Sequence, residues 1–338
     1  MKEVIPMAQK DAVTKAYMQD KETFADAFNF FIYGGEQVIK PEQLKPLDTT
    51  SIALPYGEDD KPVAVQKYRD VLKLVTAMED DNAAYLLLGI ENQSQIHYAM
   101  PVRNMLYDAL QYMKQVEDAA KSHRQHGRSA ETNAEFLSGF YKADRLLPVI
   151  TLTIYFGADE WDAPKSLSDM FSVKNDKLMK YISDYKLNLI APAEIRDDEF
   201  SKFHTELSLA LKYVKYSKDK DKLNQIIHED KGYTNVSRKT VNMLQIVTNS
   251  DLKYNEKEER VNMCEALEGI KNDAKAEGFN IGKTEGINEG FAMGKTEGIN
   301  EGKEKGRLEE RSIIAETMRK NGFTEEQIKL ALGENYSN

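Results

Sequence analysis

A single cysteine, Cys264, stands in a chain of 338 residues, so no internal disulfide can form and no thiol cluster can hold zinc. That scarcity fits a reducing compartment, and the cytoplasm is the expected location. Histidine is almost as rare. Of His97, His123, His126, His204 and His228, only His123 and His126 lie close together, in KSHRQHGR, with no cysteine or carboxylate at ligand spacing. Long apolar runs are missing as well: nothing approaches the roughly 20 residues that cross a bilayer, and MKEVIPMAQKDAVTK lacks the apolar stretch of a signal peptide. No membrane partner is expected. An excess of basic charge is also absent, because the formal net charge is −10, which argues against a broadly basic surface that coats nucleic acid. No Walker glycine loop, GxSxG elbow or HExxH helix occurs, which removes the commonest nucleotide-binding, serine-hydrolase and zinc-protease signatures.

What is present is a hydrophobic share of 41%, enough in a chain this long for one sizeable domain with appended parts. Between Asp11 and Tyr33 the residues Ala16, Tyr17, Phe24, Ala27, Phe28 and Phe31 recur at three- and four-residue spacing, which predicts one amphipathic helix ended by Gly34 and Gly35. Residues 40–57, with three prolines, read as an ordered loop. VAVQKYRDVLKLVTAM (63–78), the acidic turn EDDN and the apolar run from Ala83 to Ile90 predict a hairpin whose second strand is buried on both faces. After Pro101, Val102, Met105, Leu106, Ala109, Leu110, Met113 and Val116 mark a long helix, and LLPVITLTIYFG (146–157) marks another buried strand. Helix, hairpin, helix and strand in this order describe an α/β core. The stretch from Ser166 to Thr248 reads as mainly helical. Lys114, Lys121, His123, Arg124, His126 and Arg128 gather as a local basic patch, or as a solvated helix end.

The C-terminal part is different in kind. Glycines at 278, 282, 286, 290, 294, 298, 302 and 306 keep a four-residue period, and GKTEGINEG occurs at 282–290 and again at 294–302, a twelve-residue duplication. Positions four apart on a helix drift by about 40°, and each glycine costs about 1 kcal/mol relative to alanine. The segment is therefore a helical stalk held by close contact, or a flexible linker. Two short helices, broken at Asn321 and Gly322 and restarted at Thr324, are expected after it.

Three residues carry the chemistry that the pattern suggests. Glu91 and Gln93, two apart at a strand end, project to the same side, and Asp70 in YRDVL lies opposite if the hairpin pairs the two strands. Two carboxylates with nearby backbone oxygens suit Mg²⁺. The bland alternative is a solvated strand end and an acid paired with Arg69 or Lys67. Arg103 and Tyr107 share a face of the helix that follows, where Arg103 could clamp a phosphate or pair with an acid, and Tyr107 could simply pack. Trp161, beside Tyr155 and Phe156, reads as a core or loop anchor.

FADAFNFF (24–31), YRDVL (68–72), GIENQ (89–93), MPVRNMLYDALQY (100–112) and LLPVITLTIYFG (146–157) together resemble the PD-(D/E)XK nuclease superfamily, and more closely its Rpn branch, the recombination-promoting nucleases also described as YhgA-like transposases. The resemblance spans roughly residues 15 to 170. It implies a restriction-endonuclease-like core with a mixed central sheet flanked by helices, and a Mg²⁺-dependent DNA endonuclease of little sequence preference, with Mn²⁺ as a substitute ion. It implies Asp70 and Glu91 as metal ligands and Gln93 at the position that holds lysine elsewhere in the superfamily, with Asp26, or Glu22 behind it, as an accessory acid on the first helix. Arg103 and Tyr107 are the accessory candidates on the later helix.

The expected organisation is a nuclease-like core over 1–170, a helical extension over 171–265, a glycine-repeat linker or stalk over 266–310 and a helical hairpin over 311–338. DNA is the expected partner, with homo-oligomerisation through the repeat tail. A rival reading follows from the glutamine at 93 and the acidic net charge: a nuclease-like domain that no longer cuts and serves as a DNA-binding or assembly module.

Overall fold

A computed structural model describes residues 7–47, 75–91, 98–255 and 257–333. The expected strand at 63–78 is therefore described only from Val75, and Asp70 and Gln93 lie outside the described residues. The chain divides into two compact units, Met1–Ile270 and Lys271–Asn338.

The first unit opens with two helices, α1 (Met7–Met18) and α2 (Lys21–Tyr33), where the periodicity predicts one. Asp20 makes the break. Its carboxylate accepts the Thr23 amide at 3.0 Å and caps α2, satisfying a donor that a continuous helix would have used internally. The far end stops as expected, with Gly34 at φ +62° as the left-handed cap. The proline-rich loop carries a two-residue edge strand, β1 (Lys45–Pro46).

β1 pairs antiparallel with β2 (Val75–Glu79), and β2 pairs antiparallel with β3 (Ala84–Glu91) from Val75 opposite Leu88 to Glu79 opposite Ala84. The hairpin forms at the expected acidic turn, where the Asp80 carboxylate accepts the amides of Asn82 and Ala83 at 2.7 and 3.0 Å. The long helix α3 (Met100–Gln125) and the short α4 (Asn133–Ser138) then cross to β4 (Val149–Phe156), which pairs parallel with β3 along its whole length.

After β4 the chain is mostly irregular. Among the described residues it contains the one-turn α5 (Asp176–Met179) before β5 (Asn188–Ile190), which pairs parallel with β4. The helical reading of 166–248 misses this strand because three residues are too few to display a period. The result is a mixed five-stranded sheet in the order β1-β2-β3-β4-β5, an α/β fold. Three further helices follow, α6 (Leu207–Tyr216), α7 (Lys220–Glu229) and α8 (Arg238–Thr248), with the small ladder β6 (Val236–Ser237) and β7 (Arg260–Val261).

Strand alternation sorts the core into two layers. Tyr85 and Leu87 of β3 and Leu152, Ile154 and Phe156 of β4 join Phe24 and Phe28 of α2, Leu211 of α6, Ile227 of α7 and Leu244 of α8 in one apolar cluster. Leu86, Val149 and Tyr155 instead meet Met100, Tyr107 and Leu110 of α3, with Trp161 at the margin. Helices α6, α7 and α8 thus share a core with the sheet.

The long helix α9 (Met263–Lys320) begins in the first unit, where Met263 and Ala266 are buried, and includes all eight repeat glycines of the second. Of the two short helices expected after the repeat, the first is the end of this continuous helix, while the break comes where the sequence predicts: Gly322 takes φ +85°, and α10 (Glu325–Leu332) restarts with Thr324 accepting the Gln327 amide. Arg319 binds Glu325 at 2.6 Å across this turn.

Candidate functional site at the carboxyl edge of the parallel strands

Glu91 is the last residue of β3 and stands opposite Phe156, the last residue of β4. Both strands therefore reach the same edge of the sheet, and α3 begins at Met100, a few positions after Glu91 in the sequence. In open α/β sheets ligands gather outside the carboxyl ends of parallel strands, because loops and helix starts converge there while the strands are filled by core side chains. Of the three central residues read from the sequence, the backbone of Glu91 is at that edge, and Asp70 and Gln93 fall outside the described residues.

The first two turns of α3 bring Arg103 and Tyr107 together. The Arg103 Nε donates to the Tyr107 hydroxyl at 2.7 Å, and the guanidinium lies 5.8 Å from the ring centre. Tyr107 is fully buried. Burial pushes its hydroxyl pKa up, and the Arg103 charge and hydrogen bond pull it back. Tyr107 thus holds one edge of the guanidinium in place. A planar cation fixed in this way is suited to receive an oxyanion on its remaining N–H groups.

The same helix carries a buried polar row toward β4. Asn104 donates to Thr153 Oγ1 at 2.9 Å. One turn later, Asp108 accepts from Thr151 Oγ1 at 2.6 Å and from the Tyr185 hydroxyl at 2.8 Å. Burial raises the Asp108 carboxyl pKa, and both hydrogen bonds oppose the shift. Sequence reading missed this row. The available signal was the spacing of Asn104, Asp108 and Gln111 on one helix face against the alternating Thr151 and Thr153 of the strand. Among the described residues, Asn104 Oδ1, Gln111 Nε2 and Trp161 Nε1 are buried and lack a partner. Such orphans are costly, about 1–3 kcal/mol each, and they collect where a ligand or water completes the site.

Beyond β4 the loop is tightly packed. Trp161 meets Tyr155 edge-on at 5.3 Å and is buried, the anchor expected of it. A Cβ on Gly157 would lie 2.3 Å from the Tyr155 ring, so glycine is required there by close approach. Burial, with Asp159 and Asp162 nearby, pushes the Tyr155 hydroxyl up to about 12.

The two acids of α2 have other surroundings. Asp26 is buried, and its two oxygens accept the His204 amide at 2.9 Å, the Thr205 amide at 2.9 Å and the Thr205 hydroxyl at 2.6 Å. It fastens the loop that leads into α6. Glu22 is exposed and lines a groove of about 690 Å³ with Asp20, His204, Glu206, Lys239 and Arg260. Among the described residues no three His, Cys, Asp or Glu side chains gather as a metal cluster. The basic patch near the end of α3 is largely engaged: Lys121 faces Glu117 and Asp118, His123 binds Asp144 at 2.7 Å, and Arg128 lies over the Tyr141 ring.

The family described as "Putative transposase, YhgA-like" matches residues 8–241, a span that takes in α2, the whole five-stranded sheet and the edge at Glu91. The chain belongs to this family. The description of the YhgA-like family points to transposase- or nuclease-like work on DNA. Neither a curated protein nor a solved structure matches the chain. Among the described residues no helix is long and apolar enough to cross a membrane.

Proposed function

We propose that this chain is a Mg²⁺-dependent DNA endonuclease of the PD-(D/E)XK type, with little sequence preference, acting in DNA recombination or the movement of mobile elements. The observation that carries the reading is the position of Glu91 at the shared carboxyl edge of β3 and β4, inside the span matched by the YhgA-like family. Asp70 and Glu91 offer carboxylate oxygens and Gln93 an amide oxygen, a donor set that fits a hard cation such as Mg²⁺, with Mn²⁺ as substitute, and does not fit zinc. Asp70 and Glu91 would hold the ion, which when bound polarises a phosphodiester and acidifies a coordinated water.

The remaining roles belong to side chains of this chain. Gln93 can orient a water or a phosphate oxygen by hydrogen bonding, without the charge that lysine would add. Arg103, steadied by Tyr107, is suited to a phosphate oxygen of the substrate backbone. Asn104 and Trp161 supply buried polar atoms awaiting a partner near the same end of the sheet. Asp26, the accessory acid that the resemblance implies, is engaged by residues 204 and 205 and holds the loop before α6.

The tail adds self-association. Phe279, Ile287, Phe291 and Met293 are exposed on α9, and a Cβ on any of the eight repeat glycines meets nothing within 4 Å, so a second helix could approach closely there. Conversion of supercoiled plasmid to the nicked form, with Mg²⁺ and with EDTA, tests the central reading. Nicking should require the ion and should be lost in Asp70→Ala and Glu91→Ala. Retained metal-dependent nicking in both variants would remove the assignment.

A further inference from the structure

The connection from β4 to β5 forms an arm with an unusual surface. Its base is closed by backbone pairing: Leu167 N donates to Tyr185 O and Leu187 N to Lys165 O, each at 2.8 Å. The Tyr185 hydroxyl ties that base to Asp108 of α3. Beyond the base, residues 172–178 and 180–184 are all exposed. Tyr181 is 90% exposed, Val173 65% and Leu178 57%, beside Ile182. An aromatic ring this bare has no structural role in the fold it sits on, and large apolar side chains collected on one short arm mark a contact surface.

The charges on the arm indicate what it contacts. Lys174, Lys177, Lys180 and Lys186 interleave with the apolar residues, against Asp176 and Asp184. None of the four lysines takes part in an ion pair among the described residues. Asp184 is engaged within the arm, accepting the Ser168 amide at 2.9 Å and the Ser168 hydroxyl at 3.0 Å. Asp169 is likewise taken up by the amides of Lys165 and Ser166. Asp169 and Asp184 hold the shape of the arm, while Lys174, Lys177, Lys180 and Lys186 are exposed. This local balance runs against a chain whose net charge is −10.

We propose that this arm binds an unpaired stretch of nucleic acid, with Tyr181 as a stacking platform for a base and Lys174, Lys177 and Lys180 against the backbone phosphates. Base stacking on an exposed ring combined with a cationic track is the physical form of single-strand recognition. Duplex DNA offers no free base face to Tyr181, so the arm favours frayed, gapped or single-stranded substrate. The inference deepens the nuclease reading by naming the substrate surface, and rests on it for the choice of nucleic acid over another polyanion.

The test is fluorescence anisotropy of a labelled oligothymidylate with the full chain in EDTA, so that binding is measured without cleavage. Tyr181→Ala should weaken binding about fivefold or more, with Tyr181→Phe close to wild type. The triple change of Lys174, Lys177 and Lys180 to Gln should flatten the slope of log affinity against log salt by about 2. Circular dichroism of each variant should match wild type, since these side chains are exposed. Because binding is read in EDTA, the effect of the arm variants is measured independently of whether the chain cuts. Wild-type affinity in both arm variants would overturn the proposal. A change in sedimentation on arm substitution, with oligonucleotide affinity unaltered, would also overturn it and assign the arm to a second copy of the chain.

Discussion

Asp26 and Thr205 are joined by two hydrogen bonds across 179 residues of sequence, one from the Thr205 amide and one from its hydroxyl. With the His204 amide on the other oxygen, a buried carboxylate has all its directed partners in one loop. Replacement by alanine would leave two backbone donors and a hydroxyl without their acceptor at a part-buried position. Asp26→Ala should therefore lose about 1–3 kcal/mol of stability, read as a lower urea midpoint with an unchanged slope. A stability equal to wild type with loss of metal-dependent nicking would instead place Asp26 among the metal ligands.

Asp108 is a carboxylate held in the fold at a cost. Its folded-state pKa is raised by burial. Its contribution is therefore best below the unfolded pKa of about 3.9 and becomes unfavourable as pH rises through the folded value. Asp108→Asn keeps an acceptor for Thr151 and removes the half-buried charge. The variant should be more stable than wild type at pH 7, with the gap closing toward pH 4. Urea unfolding at the two pH values checks both the sign and the direction.

Gly157 is enforced by its neighbour. Alanine would set a methyl group 2.3 Å from the Tyr155 ring, which is buried and packed on Trp161. Gly157→Ala should cost about 1–3 kcal/mol, and Tyr155→Leu in the same chain should recover part of it. Thermal unfolding of the single and double variants measures that coupling.

Much of the architecture was legible because the elements are long. The hairpin turn at Asp80–Ala83, the start of α3 near Pro101 and the whole of β4 follow from apolar runs of eight residues or more with clear breaks. What escaped was short or non-local. The break between α1 and α2 hangs on one capping aspartate, β1 and β5 have two and three residues, and Asp26 and Glu206 find their partners on distant segments. At the candidate site, residue types pointed to Glu91 and Arg103. The row of Asn104, Asp108, Thr151 and Thr153 needed the helix and strand laid against each other before it could be seen.

The repeat glycines of α9 meet nothing that a methyl group would strike. Alanine at Gly286, Gly290, Gly294 and Gly298 should therefore raise helix stability by about 1 kcal/mol per position. If self-association depends on close backbone approach, the same change should weaken it. Circular dichroism melting and sedimentation of the full chain read the two effects separately. Greater helicity with unchanged association would confine the glycines to a spacer role.

The central claim is that Glu91, at the carboxyl edge of β3, is a metal ligand for phosphodiester cleavage. The most direct measurement is the plasmid-nicking rate of Glu91→Ala against wild type over a Mg²⁺ titration, with the urea midpoint of both proteins as a control for folding. The account predicts a wild-type rate that rises with Mg²⁺ and vanishes in EDTA, and a variant slower by about 100-fold or more with an unchanged midpoint. A variant that nicks at the wild-type rate with the same Mg²⁺ dependence would contradict it.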